Sequence, residues 1–111
     1  MPLRVILESP FAAASPDEAK RNRTYLFRAM MDSLGRGEAP FASHGVYPFL
    51  LDDLDPVERG IGLAAGWAWI GVADLMVVYA DLGVSPGMQQ GIDRAAELNL
   101  PVARRHIGAG A

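Results

Sequence analysis

Short apolar runs alternate with helix-start signals along the whole chain. Leu3 to Glu8 is apolar except at Arg4 and Glu8, the pattern of a central parallel strand buried on both faces. After the loop Ser9-Pro10-Phe11-Ala12-Ala13-Ala14 comes Ser15-Pro16-Asp17-Glu18. There Ser15 is placed to cap a helix, Pro16 to fill its first position and Glu18 to close a capping box. Leu26, Met30 and Leu34, with Phe27 and Met31 alongside, predict its core stripe, and Gly35-Arg36-Gly37 its end. Ala39 to His44 reads as a short second strand with Pro40 at its start. Asp55-Pro56-Val57-Glu58 repeats the helix-start grammar and predicts a second helix to about Val72. Leu75 to Asp81 is the third strand. Ser85-Pro86 opens a third helix with Ile92, Ala95, Ala96 and Leu98 inward, and Leu100 to Ala103 is an edge strand.

This order predicts an α/β, flavodoxin/Rossmann-like three-layer sandwich, a parallel sheet with right-handed crossovers and helices on both faces. Its natural closure is four strands in the order 2-1-3-4. The expected organisation is a single domain over residues 1–107, with 108–111 a frayed tail.

Composition narrows the partners. The chain has 111 residues, half of them apolar, and a formal charge of −3. That balance argues against a nucleic-acid surface, which is normally basic. Without cysteine there is no disulfide, no thiolate metal site and no Cys nucleophile, and two His give no metal-ligand spacing, so no metal or other cofactor is expected. The first residues lack a signal-peptide pattern, and the cytoplasm is the default expectation. Gly60 to Ala80 carries one charge, Asp74, and contains Gly62-x-x-x-Gly66, which raises a membrane span as an alternative. The central Asp74 and the change to a strand-like run at 75–79 favour a packed helix followed by a buried strand, and no membrane.

Ligands of such sheets bind outside the C-terminal strand ends where the strand order reverses. That rule gathers Glu8, Ser9, Ser43, His44, Asp81, Ser85 and Gly87 into one cleft. Glu8 and Asp81 would end adjacent strands and could form a catalytic carboxyl pair, one held neutral and one ionised. The competing readings pair Glu8 with Arg59 or Arg21 and leave Asp81 to cap its own turn. His44 is a donor for a phosphate or base, or a structural hydrogen-bonder. Ser85 and Pro86 explain themselves as helix-start residues, while Gly87 would let a ligand approach the helix N–H groups. The Lys20–Arg28 cluster reads as a solvated helix face. Trp67 and Trp69 cannot share a helix face, so one is expected inside and the other exposed or at an interface.

Glu8-Ser9-Pro10-Phe11, Ser43-His44-x-x-Tyr47, Leu51-Asp52-Asp53, Pro56-x-Glu58-Arg59, Asp74, Asp81 and Ser85-x-Gly87-Met88 occur in this order. Together they resemble small phage- and prophage-associated proteins related to the nucleoside 2-deoxyribosyltransferases. The resemblance implies a flavodoxin-like domain that binds a nucleoside or nucleotide near the ends of strands one and three, and assembly as a homo-oligomer. It makes Glu8 and Asp81 the catalytic candidates, and Ser9, Pro10, Phe11, Ser43, His44, Arg59, Ser85, Gly87 and Met88 the ligand-binding ones. It also implies a Glu nucleophile four residues after the Gly that follows the third strand. Counting from Gly87, that position holds Gly91, with Gln90 before it. A second expected acid, upstream of the third strand, falls in Gly66-Trp67-Ala68-Trp69. Two functions follow: N-glycosidic cleavage or transfer with a non-standard carboxyl arrangement, or capture of a nucleotide-derived ligand without turnover.

Overall fold

The computed structural model describes residues 1–108, so most of the expected tail lies outside the described residues. Strand β1 (Arg4–Glu8) is followed by helix α1 (Pro16–Gly35) and strand β2 (Ala39–Phe41). Two 3-10 turns, Ser43–Gly45 and Tyr47–Phe49, lead into helix α2 (Pro56–Ile70) and strand β3 (Leu75–Tyr79). Helix α3 (Pro86–Glu97) and strand β4 (Val102–Arg105) complete the order. The sheet has four strands in the order β2-β1-β3-β4, all pairs parallel, with Glu8 in register with Val78.

Side-chain alternation along the strands divides the core. Val5, Leu7, Val77 and Tyr79 face α1 and meet Tyr25, Leu26 and Ala29. Ile6, Met76 and Val78 face the other way and meet Ile70 of α2 with Met88 and Ala95 of α3. Glu8, two residues after Ile6, therefore belongs to the face covered by α2 and α3.

The inward face of α1 differs from the predicted stripe. Asn22, Tyr25, Leu26, Ala29 and Ser33 are buried, whereas Phe27, Met31 and Leu34 are exposed at 58%, 68% and 53%. The sequence stripe followed hydropathy, but the buried polar side chains here are hydrogen-bonded, which removes the cost of their burial. The Asn22 amide donates to the Phe11 and Ala12 carbonyls at 3.4 and 3.2 Å, and Ser33 Oγ donates to Glu38 at 2.8 Å. In α3 the buried residues are Met88, Gly91 and Ala95; Ala96 and Leu98 lie outward.

Strand β4 begins two residues later than predicted and runs to Arg105, which has a partner across the sheet face. Its guanidinium donates to both Glu38 oxygens, at 2.7 and 2.6 Å, and to the Tyr79 hydroxyl at 3.2 Å. Among the described residues no helix is long and apolar enough to cross a membrane. Asp74 sits in the turn before β3 and accepts from the Arg4 backbone N–H at 2.8 Å.

Candidate functional site

A cleft of about 330 Å³ opens at the C-terminal end of β1, walled by segment 43–51, α2 and the first half of α3. Two glycines set how closely α2 approaches that segment. A Cβ on Gly66 would stand 2.8 Å from Ser43 Oγ, and one on Gly62 would stand 3.4 Å from Leu51 Cδ1. The Gly62-x-x-x-Gly66 spacing thus serves close packing against the cleft wall of a globular fold.

Glu8 is the last residue of β1 and reaches toward α3, where it lies against Gly91. A Cβ at position 91 would stand 2.9 Å from Glu8 Cδ, so the carboxyl occupies the space of the missing side chain. Among the described residues the Glu8 carboxyl has no hydrogen-bonding or ionic partner. Burial pushes its pKa up to about 8, because an unpaired charge in this setting is poorly solvated. Neither arginine weighed as its partner reaches it. Arg59 lies 3.7 Å from Asp53, and Arg21 pairs with Glu18 at 3.8 Å.

Ser9 is buried beside Glu8, and its hydroxyl shares a hydrogen bond of 2.7 Å with His44 Nε2. Burial pushes the His44 pKa down to about 4, which leaves the imidazole neutral at ordinary pH. Near neutral pH, burial thus favours the protonated carboxyl of Glu8 and the neutral imidazole of His44 in the cleft that Ser9 also lines.

The expected pairing of Glu8 with Asp81 is not formed. Asp81 follows Tyr79 on the α1 side of the sheet, whereas Glu8 faces α2 and α3. Its carboxylate accepts from the Tyr25 hydroxyl at 2.6 Å and from the backbone N–H groups of Ile107 and Gly108 at 2.8 and 3.0 Å. Those bonds, Tyr25 first, hold its pKa down to about 2. Asp81 fastens the chain after β4 to α1 and does not line the cleft.

Ser9, Phe11, Ser43, His44, Arg59, Ser85, Gly87 and Met88 all line the cleft. Pro10 does not; it lines a neighbouring groove with Phe27 and Phe49. At the start of α3, Ser85 Oγ accepts from the Met88 N–H at 3.3 Å and the Ser85 N–H donates to Met88 Sδ at 3.4 Å. A Cβ on Gly87 would meet open space, so the cleft is unobstructed at that end.

Three further parts of the wall were named in the sequence but not placed in the cleft, and one of the two tryptophans does face inward as expected. Trp67 lines the cleft with the Arg94 guanidinium 5.8 Å from its ring, while Trp69 is outside and donates to the Tyr47 hydroxyl at 2.9 Å. Gly66 and Tyr47 are the others. The signal for Gly66 was present in the small-residue spacing of α2. Trp67 carried none, since period alone does not tell which of two nearby tryptophans faces inward. Among the described residues no group of His, Cys, Asp and Glu could hold a metal ion.

The architecture is similar to that of a 2-deoxyribosyltransferase from the psychrotolerant bacterium Bacillus psychrosaccharolyticus. The two superpose with a TM-score of 0.67 at 16% identity, over 97% of this chain and 75% of that one. No curated protein matches the chain in sequence. Residues 3–105 match a family described as a domain of unknown function, DUF7768, and the chain belongs to that family.

Proposed function

We propose that the cleft binds a nucleoside or nucleotide and that the protein cleaves or transfers its N-glycosidic bond, with the Glu8 carboxyl as the acid. One observation carries this reading: a largely buried carboxyl with no partner among the described residues, placed in a cleft at the point where the strand order reverses. A pKa of about 8 keeps Glu8 protonated at neutral pH, the state in which it can give a proton to a departing base nitrogen. Trp67, Tyr47 and Phe11 offer aromatic and apolar walls for a base. The open start of α3 at Gly87 suits the polar end of the ligand, a sugar or phosphate. The likeness of fold to a 2-deoxyribosyltransferase supports the same assignment.

A second reading, capture without turnover, is favoured because the other acidic side chains in or near the cleft have partners among the described residues. Asp53 is close to Arg59, Glu58 accepts from the Asp52 N–H at 3.2 Å, and Asp81 is engaged elsewhere. Incubating the protein with a panel of nucleosides and nucleoside monophosphates and quantifying free base by chromatography separates the two. Base release that is lost in Glu8→Gln supports the enzyme; ligand recovered intact and stoichiometric supports capture. Failure of every member of the panel to bind or react refutes both.

The outward Phe27, Met31 and Leu34 of α1, with Val57 and Ile61 of α2, also support association with further copies of the chain. Light scattering across a concentration series tests this, and a monomer at every concentration refutes it.

A further inference from the structure

The cleft contains a nucleophile-and-base pair that an acid-only reading leaves idle. Ser9 Oγ and His44 Nε2 lie 2.7 Å apart, within the distance at which an imidazole activates a hydroxyl. Both line the same cleft as Glu8. A nucleoside filling this cleft would meet both groups, and the proposal requires its glycosidic nitrogen at Glu8 and its anomeric carbon at Ser9. Among the described residues, the carboxyl groups that line the cleft are Glu8, Asp53 and Glu58. Burial favours the protonated form of Glu8, Asp81 is turned to α1, Asp53 lies against Arg59 and Glu58 accepts from a backbone N–H.

We propose that Ser9, activated by His44, is the nucleophile of this cleft, so that turnover passes through a glycosyl–Ser9 intermediate. The inference rests on the glycosidic-bond reading given above. It takes His44 as the tautomer protonated on Nδ1, so that Nε2 accepts from the Ser9 hydroxyl. In the first step the bond between Ser9 Oγ and the anomeric carbon forms while the bond from that carbon to the base nitrogen breaks. The Ser9 proton passes to His44 Nε2, and the Glu8 proton passes to the departing base, which leaves neutral. The cleft then holds imidazolium and carboxylate, so its net charge is unchanged and the opposite charges attract. Formation of the Glu8 carboxylate in the same step favours proton uptake by His44. In the second step a water oxygen attacks the anomeric carbon and gives its proton to Glu8. His44 returns its proton to Ser9 Oγ as the sugar leaves. A second base could replace water with the same accounting. Two displacements at one carbon give net retention of configuration.

The test uses the full chain and a set of 2′-deoxy-2′-fluoroarabinosyl nucleosides, whose fluorine slows loss of the sugar from an adduct. Intact-mass spectrometry is expected to show one added fluorosugar, and peptide mapping to place it on Ser9. Ser9→Ala is expected to lose the adduct and at least about 100-fold of base release. Ser9→Cys provides a second variant of similar volume, with the adduct moved to the new thiol. Thermal melts show whether each variant is folded. With methanol as acceptor, the methyl glycoside is expected to keep the configuration of the substrate. An adduct on Glu8 overturns the proposal, as does base release that survives in Ser9→Ala or an inverted methyl glycoside. Those results leave the nucleoside cleft standing; a wild-type protein that neither binds nor cleaves any nucleoside removes both.

Discussion

Replacing Glu8 with Gln should change the shape of the stability curve against pH. The Glu8 pKa rises from 4.5 to about 8 on folding, so between those values the native chain holds a proton that the unfolded chain has lost. Stability falls with rising pH across that window, by about 1.4 kcal/mol per unit. His44 acts in the opposite sense. Its pKa falls from 6.5 to about 4, so the unfolded chain holds the extra proton and stability rises with pH in that range. From pH 4.5 to 6.5 the two slopes cancel, and above 6.5 Glu8 acts alone. The wild-type protein should therefore be flat in these contributions across mildly acidic pH, then lose about 2 kcal/mol by pH 8. In Glu8→Gln the loss disappears and the His44 rise is uncovered. The stability of the variant relative to wild type should grow by about 5 kcal/mol from pH 4 to pH 8.5. Urea denaturation at fixed ionic strength measures both curves, and equal m-values show that the unfolded states are comparable. A difference between the curves that stays constant from pH 5 to 8.5 refutes the burial of an unpaired Glu8 carboxyl.

Gly91→Ala should cost about 1–3 kcal/mol, because its Cβ meets the Glu8 carboxyl. In a Glu8→Ala background the same change should be neutral or stabilising, and a urea double-mutant cycle measures the coupling. Arg105→Met leaves the Glu38 carboxylate without its cation, only the Ser33 hydroxyl still donating to it, and should cost about 3 kcal/mol. Adding Glu38→Met should recover most of that loss, read from the urea midpoint. Asp81→Asn should speed amide exchange at Ile107, measured by hydrogen-exchange mass spectrometry, while Glu8-dependent base release stays unchanged.

The amino-acid order alone determined the succession of strands and helices and the arrangement of the sheet, though not the ends of β2 and β4. Strand runs at 3–8 and 75–81 and three helix starts marked by Ser or Asp before Pro are local signals, each fixed by its own backbone chemistry. Once their order was known, the handedness of parallel crossovers left few arrangements, and β2-β1-β3-β4 is among them. The same reasoning brought Glu8, Ser9 and His44 to one end of the sheet. The position of Asp81 was beyond its reach. Adjacent strands bring Glu8 and Asp81 close in sequence register, but the side each faces depends on strand alternation and on Tyr25 of α1 reaching across to take the acid. Hydropathy placed Leu26 correctly on α1 and Phe27, Met31 and Leu34 wrongly, because satisfied polar groups at Asn22 and Ser33 can be buried as readily as apolar ones. Gly91 shows the division most clearly. As a letter it marks only the absence of a side chain; the packed structure shows that the space it leaves is filled by the carboxyl of Glu8, a residue 83 positions earlier in the chain. Local structure is written in neighbouring residues, but which groups share a cavity depends on contacts between segments that the sequence keeps far apart.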